Sequence, residues 1–156
     1  MWLRNSEPTL GPPLFALIIG INAYSESIRP SLKGAVADAD SIDNYLRKDL
    51  NVPSHQICNL RDLQATRKGI IEALEGIAKS GNIQRGDPIL IYYAGHGTST
   101  ENKEIQMLVP QDYCTIKGQE VPGIQDHEIG ELVNDIAEEK GDNIVRGVAF
   151  INCNSI

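Results

Sequence analysis

The 156 residues are the length of one ordinary domain, and 41% apolar with 22% charged residues suits a soluble globular chain that can bury a core. A net charge of −7 argues against nucleic acid as the main partner, because phosphate recognition needs clustered Lys and Arg. No run approaches the roughly 18 apolar residues of a membrane span, the lead-in MWLRNSEPTLGPP has no signal-like apolar core, and Cys58, Cys114 and Cys153 are too few and too irregular for a disulfide framework. Free thiols in a reducing compartment follow, with no membrane as partner and the cytoplasm as the expected location.

After the Pro- and Gly-rich lead-in of residues 1–13, LFALIIGINAY (14–24) reads as a fully buried strand and SESIRPS as loop. From Gly34, Val36, Ala39, Ile42 and Leu46 recur at helical spacing. Asn51-Val52-Pro53 breaks that pattern, and a short strand is expected over 55–60. Thr66 is placed to cap a second helix with Ile70, Ile71, Leu74 and Ile77 facing inward, closed by Gly81. ILIYY (89–93) is a third strand, EIQMLVPQDY a short strand or hairpin arm ending at Pro110, and IQDHEIGELVNDIAEE a helix with Ile129, Leu132 and Ile136 as its face. NIVRGVAFINC is the fourth strand. Strands alternating with helices of this length predict βαβ units and a mainly parallel sheet.

Sheets of this kind react at the carboxyl ends of their strands. His96, bare between Gly95 and Gly97, follows the third strand, and Cys153 ends the fourth. Parallel pairing would bring the two together. A thiol is a nucleophile only as thiolate, and a neighbouring imidazole can take its proton. Attack on an amide carbonyl then needs donors for the oxyanion, which the backbone N–H groups of Gly97 and Cys153 could supply. Each part also has a plainer reading: a small buried cysteine, a structural histidine, glycines of a turn.

YYAGHGT resembles the strand-plus-histidine signature of the caspase-like cysteine peptidases, and of the metacaspases in particular. FALIIGINAY, LKGAVADADSIDNYL, MLVPQDY, IQDHEI and VAFINCNSI resemble further family elements in the family's order, from about Leu14 to the last residue. The resemblance implies a caspase-like three-layer α/β/α sandwich over residues 14–156, truncated after the fourth core strand, with the C-terminal portion missing. It implies cysteine endopeptidase activity through a Cys/His dyad: His96 as general base, Cys153 as nucleophile and Gly97 as oxyanion donor. Metacaspases cleave after Arg or Lys, so peptides or proteins with basic residues are the implied substrates. Asp38 and Asp126 match the aspartates that would line an acidic pocket for the basic side chain; helix-end charge and capping are their alternative roles. Asp112 reads as a turn residue. Many members need calcium, so the resemblance raises calcium as a cofactor, although no oxygen-rich loop in the sequence reads as its site.

The nucleophile segment of metacaspases reads Asp-x-Cys-His-Ser-Gly or close to it, whereas this chain reads Ile151-Asn152-Cys153-Asn154-Ser155-Ile156. One register keeps Cys153 and Ser155 in place; a slip of one residue puts Asn154 on the nucleophile. The alternative function is therefore an inactive caspase-like binding or regulatory module that associates with the missing small-subunit portion or a sister protease. A nucleotide-binding sheet lacks its glycine cradle, GINAYS being neither Gly-x-Gly-x-x-Gly nor a P-loop, and no Gly-x-Ser-x-Gly turn supports a serine hydrolase.

Overall fold

In the computed structural model, residues 12–25, 30–99 and 106–150 are described. Strand β1 (Phe15–Gly20) is buried along its whole length, as its unbroken apolar run requires of a central parallel strand. Helix α1 (Ala35–Lys48), strand β2 (Ile57–Arg61), helix α2 (Arg67–Lys79) and strand β3 (Ile89–Gly95) follow. Strands β4 (Gly97–Ser99), β5 (Gln106–Leu108) and β6 (Ile124–Gln125) come next, then helix α3 (Asp126–Lys140) and strand β7 (Ile144–Phe150).

The main sheet has the order β2-β1-β3-β7, and every pair in it is parallel. Alternate residues of the inner strands face two different layers. Ala16, Ile18, Leu90 and Tyr92 pack with Ala39 and Leu46 of α1. Leu17, Ile19, Ile89, Ile91 and Tyr93 pack with Ile70, Leu74 and Ile77 of α2 and Ile136 of α3. The result is an α/β/α sandwich, α1 on one face and α2 with α3 on the other, as right-handed crossovers require.

Several boundaries differ from the sequence expectation for identifiable reasons. The first strand ends at Gly20 rather than Tyr24, because the N–H groups of Asn22 and Ala23 turn to the Asp62 carboxylate instead of a neighbouring strand. On α1, Ala39 and Leu46 are buried and Ile42 packs beside them as expected, while Ala35 is fully buried and Val36 only half-buried. Thr66 caps α2 as expected, its hydroxyl accepting the Gly69 N–H. The end of α2 differs: Ser80 closes the helix through its own N–H to the Ile77 carbonyl, and Gly81 is not among the left-handed glycines. The second, antiparallel sheet β4-β5-β6 was visible in the sequence only as the arm at β5, since strands of two or three residues are too short to display alternation. The expected extension of the fourth strand to Cys153 lies outside the described residues.

Candidate active site

The strand order reverses between β1 and β3: the chain leaves β1 for β2 on one side and returns from β2 to β3 on the other. Open parallel sheets form a crevice at such a point, at the carboxyl ends of the two strands. In-register pairing of Gly20 with Ala94 brings these ends level. His96 follows β3 there, and the segment after β1 supplies what surrounds it.

The histidine is 6% exposed, and its backbone N–H, its carbonyl and its Nε2 each have a partner. Its N–H donates to the Tyr24 hydroxyl oxygen at 2.8 Å. Its carbonyl accepts from the Val109 N–H at 3.1 Å, and the Tyr93 hydroxyl lies 2.8 Å from that carbonyl and 2.9 Å from the Val109 carbonyl. The imidazole lies beside the Tyr24 ring, centroids 4.9 Å apart, and Nε2 is 2.9 Å from the Pro30 carbonyl oxygen. A carbonyl can only accept, so Nε2 carries the hydrogen, and in the neutral ring Nδ1 keeps the basic lone pair. The arrangement can thus present a base of one defined tautomer.

The two glycines flanking His96 make room for protein, not only for a ligand. A Cβ on Gly95 would stand 2.6 Å from the Tyr93 hydroxyl and 2.9 Å from the Tyr24 hydroxyl, the two groups that bind the His96 peptide. A Cβ on Gly97 would lie 2.5 Å from the Phe150 ring of β7. Gly97 is in β4 and pairs with Leu108. An open cleft of about 240 Å³ beside it is lined by Gly97, Thr98, Ser99, Gln106 and Phe150.

The structure sets the remaining sequence candidates apart. Asp38 is exposed in the first turn of α1, on the face of the sheet where Leu32 and Ala35 pack with Ala94, two residues before His96. Its charge reaches the Tyr92 phenol, whose pKa is raised by burial and then by Asp38. Asp126 is exposed at the start of α3, on the opposite face, in a cavity of about 370 Å³ with Tyr93, Met107, Ile129, Arg146 and Phe150. Asp38 and Asp126 therefore lie on opposite faces of the sheet, and Arg146 lines the same cavity as Asp126. Asp112 lies in a turn, as expected, and its carboxylate also accepts the first N–H of α2, from Arg67, at 2.7 Å. Cys153 lies outside the described residues; Cys58 and Cys114 are free thiols, and burial pushes the Cys58 thiol up.

Tyr24, Pro30 and Tyr93 have no place in the sequence reading of the site. Tyr93 was hidden within an apolar run, although a buried tyrosine needs a partner for its hydroxyl. Tyr24 and Pro30 lie in the segment after β1, and the rule that placed His96 at a strand's carboxyl end applies equally to them.

Among the described residues, no group of three or more His, Cys, Asp or Glu side chains could hold a metal ion. Nor, among them, is any helix long and apolar enough to cross a membrane.

Metacaspase-1 of Saccharomyces cerevisiae is 34% identical over 93 residues, which are 56% of this chain and 21% of that protein. Metacaspase-1 of Eremothecium gossypii is 29% identical over 93 residues, 20% of its length. The chain thus matches about a fifth of the length of these curated relatives. The crystal structure of a Geobacter sulfurreducens protein superposes with a TM-score of 0.63 over 88% of this chain and 49% of the other, at 20% identity, a likeness of fold alone. The sequence model of the caspase domain matches residues 14–153. With a four-stranded parallel sheet between α1 and the α2–α3 pair, and with these relatives, the chain belongs to the caspase-domain, metacaspase-like family.

Proposed function

We propose that residues 14–156 form a metacaspase-type cysteine endopeptidase domain, with His96 as general base and Cys153 as nucleophile. The observation that carries this is the 2.9 Å contact of His96 Nε2 with the Pro30 carbonyl, which leaves Nδ1 to take the thiol proton. Chain geometry supports the pairing. Gly95 pairs with Phe150, and Cys153 is three residues on, a reach of at most about 11 Å.

In the proposed reaction, thiolate sulfur attacks the substrate carbonyl carbon while protonated His96 waits. The oxyanion is received by the N–H groups of Gly97 and Cys153, and the imidazolium returns its proton to the leaving amine as the peptide bond breaks. Water then hydrolyses the thioester with His96 again as base. Arg or Lys is the proposed residue before the cut. Asp38, on the histidine's face, is its proposed partner; Asp126 would bear on a more distant part of the substrate, because it lies across the sheet. No step is routed through calcium.

A second reading rests on β7. Among the described residues it pairs only with β3, and Val145, Val148 and Phe150 are 62%, 53% and 43% exposed. Such an edge is a template for another strand. We propose that it receives the small-subunit portion of the family or a sister protease, in a regulatory module if the chain itself does not turn over. Cleavage of fluorogenic peptides ending in Arg or Lys, with and without calcium, tests the first reading against His96→Ala and Cys153→Ala forms. Turnover lost in both variants is the expected outcome. Turnover equal in all three folded proteins sinks the dyad. A thiol probe ending in Arg should also label Cys153 ahead of Cys58, whose thiol burial holds in the protonated form.

A further inference from the structure

We propose that Asp62 is a positioning residue for the His96 imidazole, acting through the segment that joins β1 to α1; the catalytic meaning of this rests on the reading of His96 as base, but its structural content does not. Asp62 follows β2 at the carboxyl edge of the sheet, where β1 and β2 cease to pair after Gly20 and Arg61. Its Oδ1 accepts the Asn22 N–H at 2.7 Å and the Ala23 N–H at 2.9 Å. Its φ of 40° lies in the left-handed region, which aspartate and asparagine tolerate better than most residues.

Those two bonds pin the base of the segment that holds the histidine. Tyr24, next after Ala23, supplies both the hydroxyl on the His96 N–H and the ring beside the imidazole. The Asn22 carbonyl accepts the Leu32 N–H at 2.8 Å, and its side-chain oxygen accepts the Val36 N–H at 3.2 Å. Leu32 is two residues past Pro30, whose carbonyl takes Nε2. Tyr24 and Pro30 therefore approach His96 from one closed segment, and Asp62 anchors the point where that segment leaves the sheet. Carboxylate-to-amide bonds are charge-assisted and strong for their kind.

The test reads the histidine directly. In the full chain, ring nitrogen-15 shifts of His96 would be followed across pH in the wild type and in Asp62→Ala, Asp62→Gly and Asp62→Asn, with melting curves alongside. The wild type should show Nε2–H as the dominant neutral tautomer. In the Ala and Gly forms the ratio of Nε2–H to Nδ1–H should fall about threefold to tenfold, the loss of one ordinary hydrogen bond. Asp62→Asn keeps an accepting oxygen and the left-handed tolerance, so it should keep the wild-type ratio. Asp62→Gly relaxes the backbone, so a shift seen there reports the missing acceptor and not strain. An unmoved ratio in a folded Ala or Gly form, or an Asn form that behaves like Ala, overturns the proposal. So does unfolding of both truncations, since Asp62 would then hold the domain rather than the histidine. Absent peptide turnover with the expected shifts would instead fault the dyad alone.

Discussion

Replacing Gly95 by alanine probes the packing on which His96 depends. The added Cβ would stand 2.6 Å from the Tyr93 hydroxyl and 2.9 Å from the Tyr24 hydroxyl. Non-bonded heavy atoms settle near 3.5 Å, so the first contact is short by about 0.9 Å. Tyr93 is 2% exposed, and its hydroxyl is within 2.9 Å of two carbonyls, so it cannot retreat without lengthening those bonds. Overpacking of this kind costs about 1–3 kcal/mol and each weakened hydrogen bond about 1, for a total near 2–4 kcal/mol. In a domain of this size the melting temperature should fall by about 5–15 °C. Tyr93→Phe by itself should cost about 1–3 kcal/mol through the buried hydroxyl bond it removes, the His96 carbonyl keeping the Val109 N–H. The decisive measurement is the double variant in urea unfolding. With the Tyr93 hydroxyl gone, the shortest contact is relieved while Tyr93 Cζ and the Tyr24 hydroxyl still stand 2.9 Å from the added Cβ, so the two costs should fall short of their sum by about 0.5–1.5 kcal/mol. Strict additivity would refute the account of Gly95 as space made for the tyrosine hydroxyl.

Tyr92 should titrate above the ordinary tyrosine value, because burial and then the Asp38 charge disfavour its phenolate. Stability on this account is full below about pH 10, the unfolded value, and falls as pH rises, since the unfolded chain releases the proton first. Ultraviolet titration should show the midpoint lowered in Asp38→Asn, and an unmoved midpoint would place the cause elsewhere. Thr66→Ala removes the hydroxyl that accepts the Gly69 N–H at 3.0 Å and should cost about 1 kcal/mol in urea unfolding, with Thr66→Ser close to wild type.

How much of the site was legible follows from how far apart its parts lie in the chain. His96 was readable because a strand and two glycines adjoin it. Tyr24 and Pro30 were not, because their bonds to His96 span 72 and 66 residues and leave no local pattern. Asp62 likewise acts on Asn22 across 40 residues, and its left-handed φ has no sequence mark beyond being an aspartate. Asp38 and Asp126 were grouped from motif positions, but a helix's place in sequence does not say which face of a sheet it covers.

By itself, the sequence determined the alternation of strands and helices, the parallel sheet, the Thr66 cap and the position of His96 at a strand's carboxyl end. These depend on periodicity and on residues a few positions apart. Tertiary structure alone decided the tautomer of His96, the role of its flanking glycines, the separation of the two aspartates and the latch at Asp62. Each of these is a contact between distant segments, and only the packed sheet brings such segments within bonding distance.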